Sequence, residues 1–300
     1  MKTLLIFMKR DIKLFFKDKG LFFTSLITPM ILLVLYITFL ENVYSDSLKM
    51  SIPEGITVSE KVIDAIVGGQ LISSLLAVCC VTVAFCSNML MVQDKVTGAK
   101  QDMLISPVKP SVLAGGYYLS TAIVTLIICL VALVGGLIYV GATSWTLSFA
   151  DIALMALDVF LLVMFGASLS SVINFFLSSQ GQISAVGTIV SSAYGFICGA
   201  YMPISQFPEG LQKVISFLPG TYGMSLIKNH ATRGAFEKLE AEGLPSQSVE
   251  MIKDTMDCNL YFFDKKVDIG TMYLILSVSV AFLICAYIVM NVLWGKRKNK

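Results

Sequence analysis

Two long apolar runs without a single charged residue constrain this chain more than any other feature of its sequence. They cover residues 65–92 and 111–150, and a short polar segment, residues 93–110, separates them. A helix of about 20 apolar residues crosses the hydrocarbon core of a bilayer. In lipid every backbone amide needs a partner within the protein, which leaves helical bundles or closed barrels. Since these runs are far too long for barrel strands, the sequence predicts an all-α integral membrane protein.

The composition supports the same fold class. Of the 300 residues, 56% are hydrophobic and 14% are charged, whereas a soluble domain carries about 25% charged residues. Further apolar stretches bring the prediction to six transmembrane helices in a single membrane domain, residues 1–300. The predicted spans are residues 21–40, 65–92, 111–140, 151–177, 183–201 and 269–294.

The distribution of charge predicts how the chain is oriented. Residues 1–20 combine an apolar stripe with a face of Lys and Arg, which predicts an amphipathic interfacial helix. This helix, the polar segment and the tail after Trp294 are basic, so both termini and the polar segment are expected on the cytoplasmic side of a bacterial cytoplasmic membrane. Residues 202–268 then form an extracytoplasmic hairpin and loop. Within them, residues 206–218 are too few to cross the bilayer and are predicted as a re-entrant or interfacial helix.

The polar segment carries a pattern in which an acid is followed by a Gly, Leu-rich positions and Ser-Pro. In this chain the pattern consists of Asp94, Gly98, Leu104, Ile105, Ser106 and Pro107. It resembles the cytoplasmic coupling segment of ABC-2 type permeases, the membrane subunits of ATP-binding-cassette exporters. The amphipathic start of the chain, the proline-marked segment after the predicted fifth span and the six-span layout resemble the same family.

The resemblance implies that a separate nucleotide-binding ATPase subunit docks on the polar segment and moves it as a coupling helix. This chain lacks the phosphate-binding motif GxxxxGK[ST]. ATP and Mg are therefore expected in the partner subunit, with no cofactor and no enzyme activity in this chain. The residues predicted to couple to the ATPase subunit are Asp94, Lys95, Gly98, Asp102, Met103, Leu104, Ser106 and Pro107. The alternative is that the polar segment is a solvated loop.

Small residues recur every four positions in the predicted fifth span, at Gly187, Ser191, Gly195 and Gly199. Small residues at this spacing let two helices approach closely. In the family, the first and fifth spans meet their dimer mates, and the second and fifth help line the substrate route. The stripe is therefore predicted as a dimer seam or pathway wall, with an identical or similar subunit as the partner. Packing within the same chain is the alternative.

Polar residues inside spans are further pathway candidates. They are Ser74 and Asn88 in the predicted second span and Asp158 in the fourth. An ionisable residue at that depth is a functional candidate by default. Asp158 could face a cation-binding cavity, relay a proton, pair with another span or be an interfacial acid reached by water. The lone His230 is expected at the surface, because no cluster of metal-ligating residues accompanies it.

These features together predict export of an amphiphilic substrate, such as a drug, an antibiotic peptide or a lipid-like molecule, because an apolar-walled route suits such cargo. The alternative is an ion-coupled secondary transporter of a small molecule, which should show ionisable residues in several spans and internal repeats. Enzymes are disfavoured, since the motifs HExxH and GxSxG are absent. The expected partners are the ATPase subunit, a second permease subunit and membrane lipid, and no nucleic acid.

Overall fold

The computed structural model describes residues 2–52, 58–105, 108–263 and 265–298. Nearly all of them are helical, and one short antiparallel hairpin pairs Leu260 with Val267. The elements are α1 (Lys2–Lys17), α2 (Lys19–Leu35), α3 (Glu41–Ser51), α4 (Glu60–Val96), α5 (Ala99–Ile105), α6 (Pro110–Thr143), α7 (Phe149–Phe176), α8 (Gln180–Ile197), α9 (Glu209–Ile215), α10 (Pro219–Ala241), α11 (Ser246–Thr255), β1 (Leu260–Phe262), β2 (Lys265–Val267) and α12 (Ile269–Lys298).

Within the described ranges, five helices are long and apolar enough to cross a membrane. They are Lys19–Ser51, Glu60–Val96, Pro110–Thr143, Phe149–Phe176 and Ile269–Leu293. The predicted all-α membrane class is confirmed, and each of these helices overlaps one predicted span. The predicted fifth span coincides with α8, which is not among the five, so the count of six stays a prediction.

The helix that contains the predicted first span continues beyond residue 40, while the end of the span at that residue stays a prediction. A π-helical turn, Tyr36–Leu40, carries α2 directly into α3, and the helix continues to Ser51. Tyr44 and Leu48 are buried on α3, one turn apart, and both belong to a hydrophobic cluster with α4 and α11. The polar composition of residues 41–51 obscured this buried stripe, which holds the helical extension against the bundle.

The centre of the bundle is α4, which is buried along almost its whole length. Glycines on its neighbours let their backbones approach it closely. A Cβ at Gly166 of α7 would lie 2.4 Å from the carbonyl oxygen of Cys80, and one at Gly136 of α6 would lie 2.8 Å from Ile72. Because α4 contacts α2, α6, α7, α8 and α10, a displacement of this helix would move most of the bundle.

The bundle has two different ends. We call the end that holds residues 93–110 the coupling end, and the opposite end the far end. At the far end α10 enters the bundle and packs on α4, α7 and α12. Residues 229–241 were predicted as part of an extracytoplasmic hairpin and loop, and their side of the membrane stays a prediction. In the structure α10, which contains them, is largely buried. Its polar groups bond inward; the Lys228 ammonium, for example, donates to the carbonyl oxygen of Met256 at 2.6 Å.

Candidate functional site

A single carboxylate, that of Asp94, joins three helices at the coupling end. Asp94 lies in the last turn of α4 and is only 6% exposed. The Arg10 guanidinium of α1 donates to both carboxylate oxygens, at 2.7 and 2.8 Å, and the Tyr117 hydroxyl of α6 donates to one of them at 2.6 Å. Paired hydrogen bonds between a guanidinium and a carboxylate are strong and directional. The start of the polar segment is therefore fixed to α1 and α6.

A second acid, Asp11, lies beside this junction. Its carboxylate accepts from Arg10 at 2.8 Å and from the Ser120 hydroxyl at 3.4 Å. Burial raises the pKa of Asp11 to about 6, although the neighbouring guanidinium acts in the opposite direction. The hydrogen bond to Asp94 raises the pKa of Arg10. Arg10 therefore stays charged while it serves two carboxylates.

Lys95 ties the polar segment to the end of α7. Its ammonium donates to the backbone carbonyl oxygens of Asn174, Phe175 and Leu177, at 3.0, 2.7 and 3.0 Å. The last carbonyls of a helix lack partners within the helix and carry its negative dipole end, so a cation is favourable there. Lys95 thus connects the polar segment to the short turn between α7 and α8.

The outward side of the polar segment is presented by α5. Gly98 opens the turn before it with φ +83°, a conformation that costs other residues energy. Gln101 and Asp102 are exposed, as is Ile105 at 85%, whereas Met103 is half-buried against α6 and its neighbours. Ser106, Pro107 and the side chain of Leu104 lie outside the described residues. Among the predicted coupling residues, Asp94 and Lys95 bond within the chain, and Asp102 faces outward.

A cleft of about 980 Å³ lies between α2 and α8, with one side of α4 as its floor. Aliphatic residues such as Ile27, Ile31 and Ile183 line it together with hydroxyl side chains from both helices. Gly187 and Ser191, predicted as a seam or pathway wall, also line this cleft.

The other two residues of the predicted small-residue stripe, Gly195 and Gly199, do not line this cleft. A Cβ at Gly195 would lie 2.2 Å from the ring of Tyr201, so the chain itself covers this position. Gly199 lies beyond the end of α8, in a turn where its φ is +80°. The prediction of a four-residue helical stripe is therefore wrong at Gly199, because the helix ends at Ile197.

The predicted pathway candidates Ser74, Asn88 and Asp158 are buried between helices and are not part of the cleft lining. Asn88 donates to the hydroxyls of Ser170 and Ser171 at 3.1 and 2.9 Å, which joins α4 to α7. The Ser74 hydroxyl accepts from the Gln70 amide on its own helix at 3.4 Å. Asn88 thus joins two helices, whereas the Ser74 bond lies within α4; a pathway role for these residues stays a prediction.

Asp158 lies in a buried polar cluster in the far half of the bundle. It is 0% exposed; one carboxylate oxygen lies 2.6 Å from Nδ1 of His230 on α10, and the other accepts from the Tyr273 hydroxyl of α12. The prediction that His230 is a surface residue is wrong, since it is only 5% exposed. A sequence signal was present: Gly220, Gly223 and Ala231 mark a small-residue face of α10, which is typical of close helix packing.

The five membrane-length helices among the described residues define a multi-pass membrane protein. Residues 2–229 match the model of the ABC-2 type transporter family, so the chain belongs to this family. The family predicted from the polar segment is thereby confirmed, and the chain is a transmembrane permease of the ABC transporter class. No curated protein matches the chain significantly.

Proposed function

We propose that this chain is the membrane subunit of an ABC exporter that moves an amphiphilic substrate outward, using ATP hydrolysed by a separate nucleotide-binding subunit. The observation that carries the proposal is the double anchorage of the polar segment through Asp94 and Lys95, next to the exposed face of α5. Asp94 and Lys95 form their bonds within this chain, and the exposed face of α5 is the part of the polar segment that a partner would contact. Family membership makes an ATP-binding subunit the expected partner.

The bonds of Asp94 and Lys95 support a route by which a force applied to α5 would be transmitted through the bundle. A partner that pushes on α5 moves the last turn of α4, which continues without interruption for 37 residues, or roughly 55 Å. The Asp94 junction passes the same displacement to α1 and α6, and Lys95 passes it to the turn between α7 and α8. Because α8 forms one wall of the cleft, a displacement at the coupling end changes the width of the cleft.

The cleft supports an amphiphilic substrate and a dimer. Its lining combines aliphatic side chains with hydroxyls, which suits a molecule with apolar and polar parts. The cleft is open between α2 and α8, opposite its α4 floor. These two helices correspond to the first and fifth predicted spans. A second copy of this chain, or a similar permease, would close the cleft there. In this arrangement α8 is the fifth of six spans and both termini lie in the cytoplasm, with ATP and Mg held by the partner subunit.

The test compares two exposed apolar residues at opposite ends. Ile105 is 85% exposed on α5, and Met50 is 86% exposed on α3. Ile105→Asp should abolish stimulation of the partner ATPase by the reconstituted permease while leaving membrane insertion unchanged. Met50→Asp, the matched control, should retain stimulation. Equal stimulation by both variants, or substrate transport by the chain alone without nucleotide, would reject the proposed function.

A further inference from the structure

The α2–α8 cleft has an acid at one end and no other charged side chain among the described residues that line it. That acid is Asp18, an exposed residue between α1 and α2. Lys17 and Lys19 flank it in the sequence, but neither of them lines the cleft. The charge that the lining presents to a ligand is therefore negative, and it is confined to one end.

The start of α2 holds the Asp18 carboxylate in place. One of its oxygens accepts from the backbone amide of Leu21 at 3.0 Å, so that Asp18 caps the helix. A carboxylate can accept several hydrogen bonds at its two oxygens. Asp18 can therefore keep its cap and also accept from a ligand in the cleft.

The polar part of the lining is gathered at the same end. Gln93 lies next to Asp94 near the end of α4, and Gln180 begins α8, so both belong to the coupling end. Beyond Asp18, α2 runs for 17 residues, or roughly 26 Å, which is close to the ~30 Å thickness of a hydrocarbon core. Four aliphatic residues of α2 line the cleft over this distance: Leu21, Ile27, Ile31 and Leu35.

The hydroxyl groups that α8 contributes to the lining direct their protons into their own helix. The Ser184 hydroxyl donates to the carbonyl oxygen of Gln180 at 3.2 Å. The Thr188 hydroxyl donates to that of Ser184 at 2.9 Å, and the Ser192 hydroxyl to that of Thr188 at 2.8 Å. Because a hydroxyl has one proton and two lone pairs, these groups offer a ligand acceptors and not donors. Acceptors suit N–H groups and cations, whereas an anionic head needs donors.

We propose that the substrate of this cleft is a cationic amphiphile, with an ammonium head at Asp18 and an apolar tail along α2 toward the far end. The tail supplies most of the affinity through the apolar area that it buries. The carboxylate supplies selectivity, since an anionic head at the same place would be repelled. This inference rests on the proposed function, because it names the substrate class of the same cleft.

Photolabelling of the purified full-length chain, without the ATPase subunit, tests the proposal. The chain is reconstituted in phosphatidylcholine nanodiscs with an alkylammonium that carries a diazirine in its tail. An alkyl sulfate with the same tail is the anionic probe, and mass spectrometry identifies the labelled positions. Phe282 is 71% exposed on the membrane-length helix α12 and does not line the cleft. Its labelling gives the reference for probe dissolved in the bilayer.

We expect the ammonium probe to label the cleft lining several-fold more than Phe282, and unlabelled dodecylammonium to compete. The sulfate probe should label both positions alike. Asp18→Asn keeps the helix cap, since Asn caps as well as Asp, and it should lower the cleft-to-reference ratio of the ammonium probe about three- to fivefold. Asp46→Asn makes the same charge change at an exposed residue of α3 outside the cleft lining, and it should leave the ratio unchanged.

Equal labelling of the cleft by the two probes, or an unchanged ratio in Asp18→Asn, would overturn the proposal. Absence of cleft labelling would also overturn it, because lipid, whose ammonium heads are in large excess, or a second copy would then occupy the cleft. If Asp18→Asn fails to fold, the comparison of the two probes on the unaltered chain still decides. None of these outcomes bears on the Ile105→Asp test of ATPase stimulation, so failure of this inference can be told apart from failure of the proposed function.

Discussion

The polar clusters around Asp94 and Asp158 have similar chemistry and opposite surroundings. Each carboxylate joins three helices through side-chain partners. Asp94 is partnered by Arg10, whose side chain remains 31% exposed at the coupling end. The side chains of Asp158 and its partner His230, in the far half, are 0% and 6% exposed. A partly hydrated pair can be rearranged at modest cost, because water replaces what the partner gives up. A fully buried pair cannot be rearranged at modest cost, because no water replaces the lost partner. The comparison indicates that the Asp94 cluster can rearrange and that the Asp158 cluster cannot. We call the first cluster the movable joint and the second the fixed clasp.

The largest effect is expected at the fixed clasp. Asp158→Ala leaves the buried His230 ring and the partly buried Tyr273 hydroxyl without their shared partner. We expect a loss of about 3–5 kcal/mol in the free energy of unfolding. Reversible unfolding in detergent measures this loss. The double variant Asp158→Ala with His230→Ala should lose less than the sum of the single variants, since the two residues interact directly. Additive losses would contradict the clasp.

A smaller effect is expected at the movable joint. Asp94→Ala leaves the Arg10 guanidinium able to reach water, although the buried Tyr117 hydroxyl loses its acceptor. We expect a loss of about 1.5–3 kcal/mol, the usual range for a hydrogen bond to a charged group. The same unfolding measurement gives this value. Protease cleavage between α1 and α2 should become faster, because α1 loses its main polar attachment. A stability loss as large as that of Asp158→Ala would remove the distinction between joint and clasp.

Lys95→Met should change stability by about 1 kcal/mol or less, because it removes a cation from a helix C-terminus but keeps an apolar stem in place. Its effect on coupling should exceed its effect on stability, since Lys95 joins the polar segment to the α7–α8 turn. The measurement is substrate-stimulated ATPase activity of the reconstituted complex, compared with the unfolding free energy of the same variant. Full stimulation would show that the turn is not part of the coupling route.

The smallest effect is a pH dependence at the joint. The pKa of Asp11 is raised from 3.8 to about 6, so the folded chain takes up a proton between these values that the unfolded chain does not. The attachment of α1 should therefore strengthen as the pH falls from about 6 toward 4, and it should change little above that range. Protease protection of α1, measured across this pH range, checks the direction. Asp11→Asn should remove the dependence, and its persistence would assign it to another group.

The five membrane-length helices of the described residues and the polar turn between two of them could be predicted from the sequence, because long apolar runs and a charged interruption are local properties. The position of α10 could not. Lys228, Asn229 and His230 give its middle a polar composition, and their burial depends on acceptors supplied by residues distant in the sequence, such as the Cys258 carbonyl oxygen and the Asp158 carboxylate. For Asp94 and Lys95 the sequence predicted the location in the polar segment but not the bonding partners. Their inward direction depends on Arg10 and on the end of α7, which sequence spacing does not place nearby.

The central claim is that a separate ATPase subunit grips the coupling end of this bundle, and site-specific photo-crosslinking tests it most directly. A photo-reactive amino acid at Gln101, exposed on α5, should capture the co-expressed ATPase subunit, and the yield should change when ATP is added. The same amino acid at Met50, exposed at the far end, should capture none. Capture of the ATPase from Met50 and not from Gln101 would contradict the account.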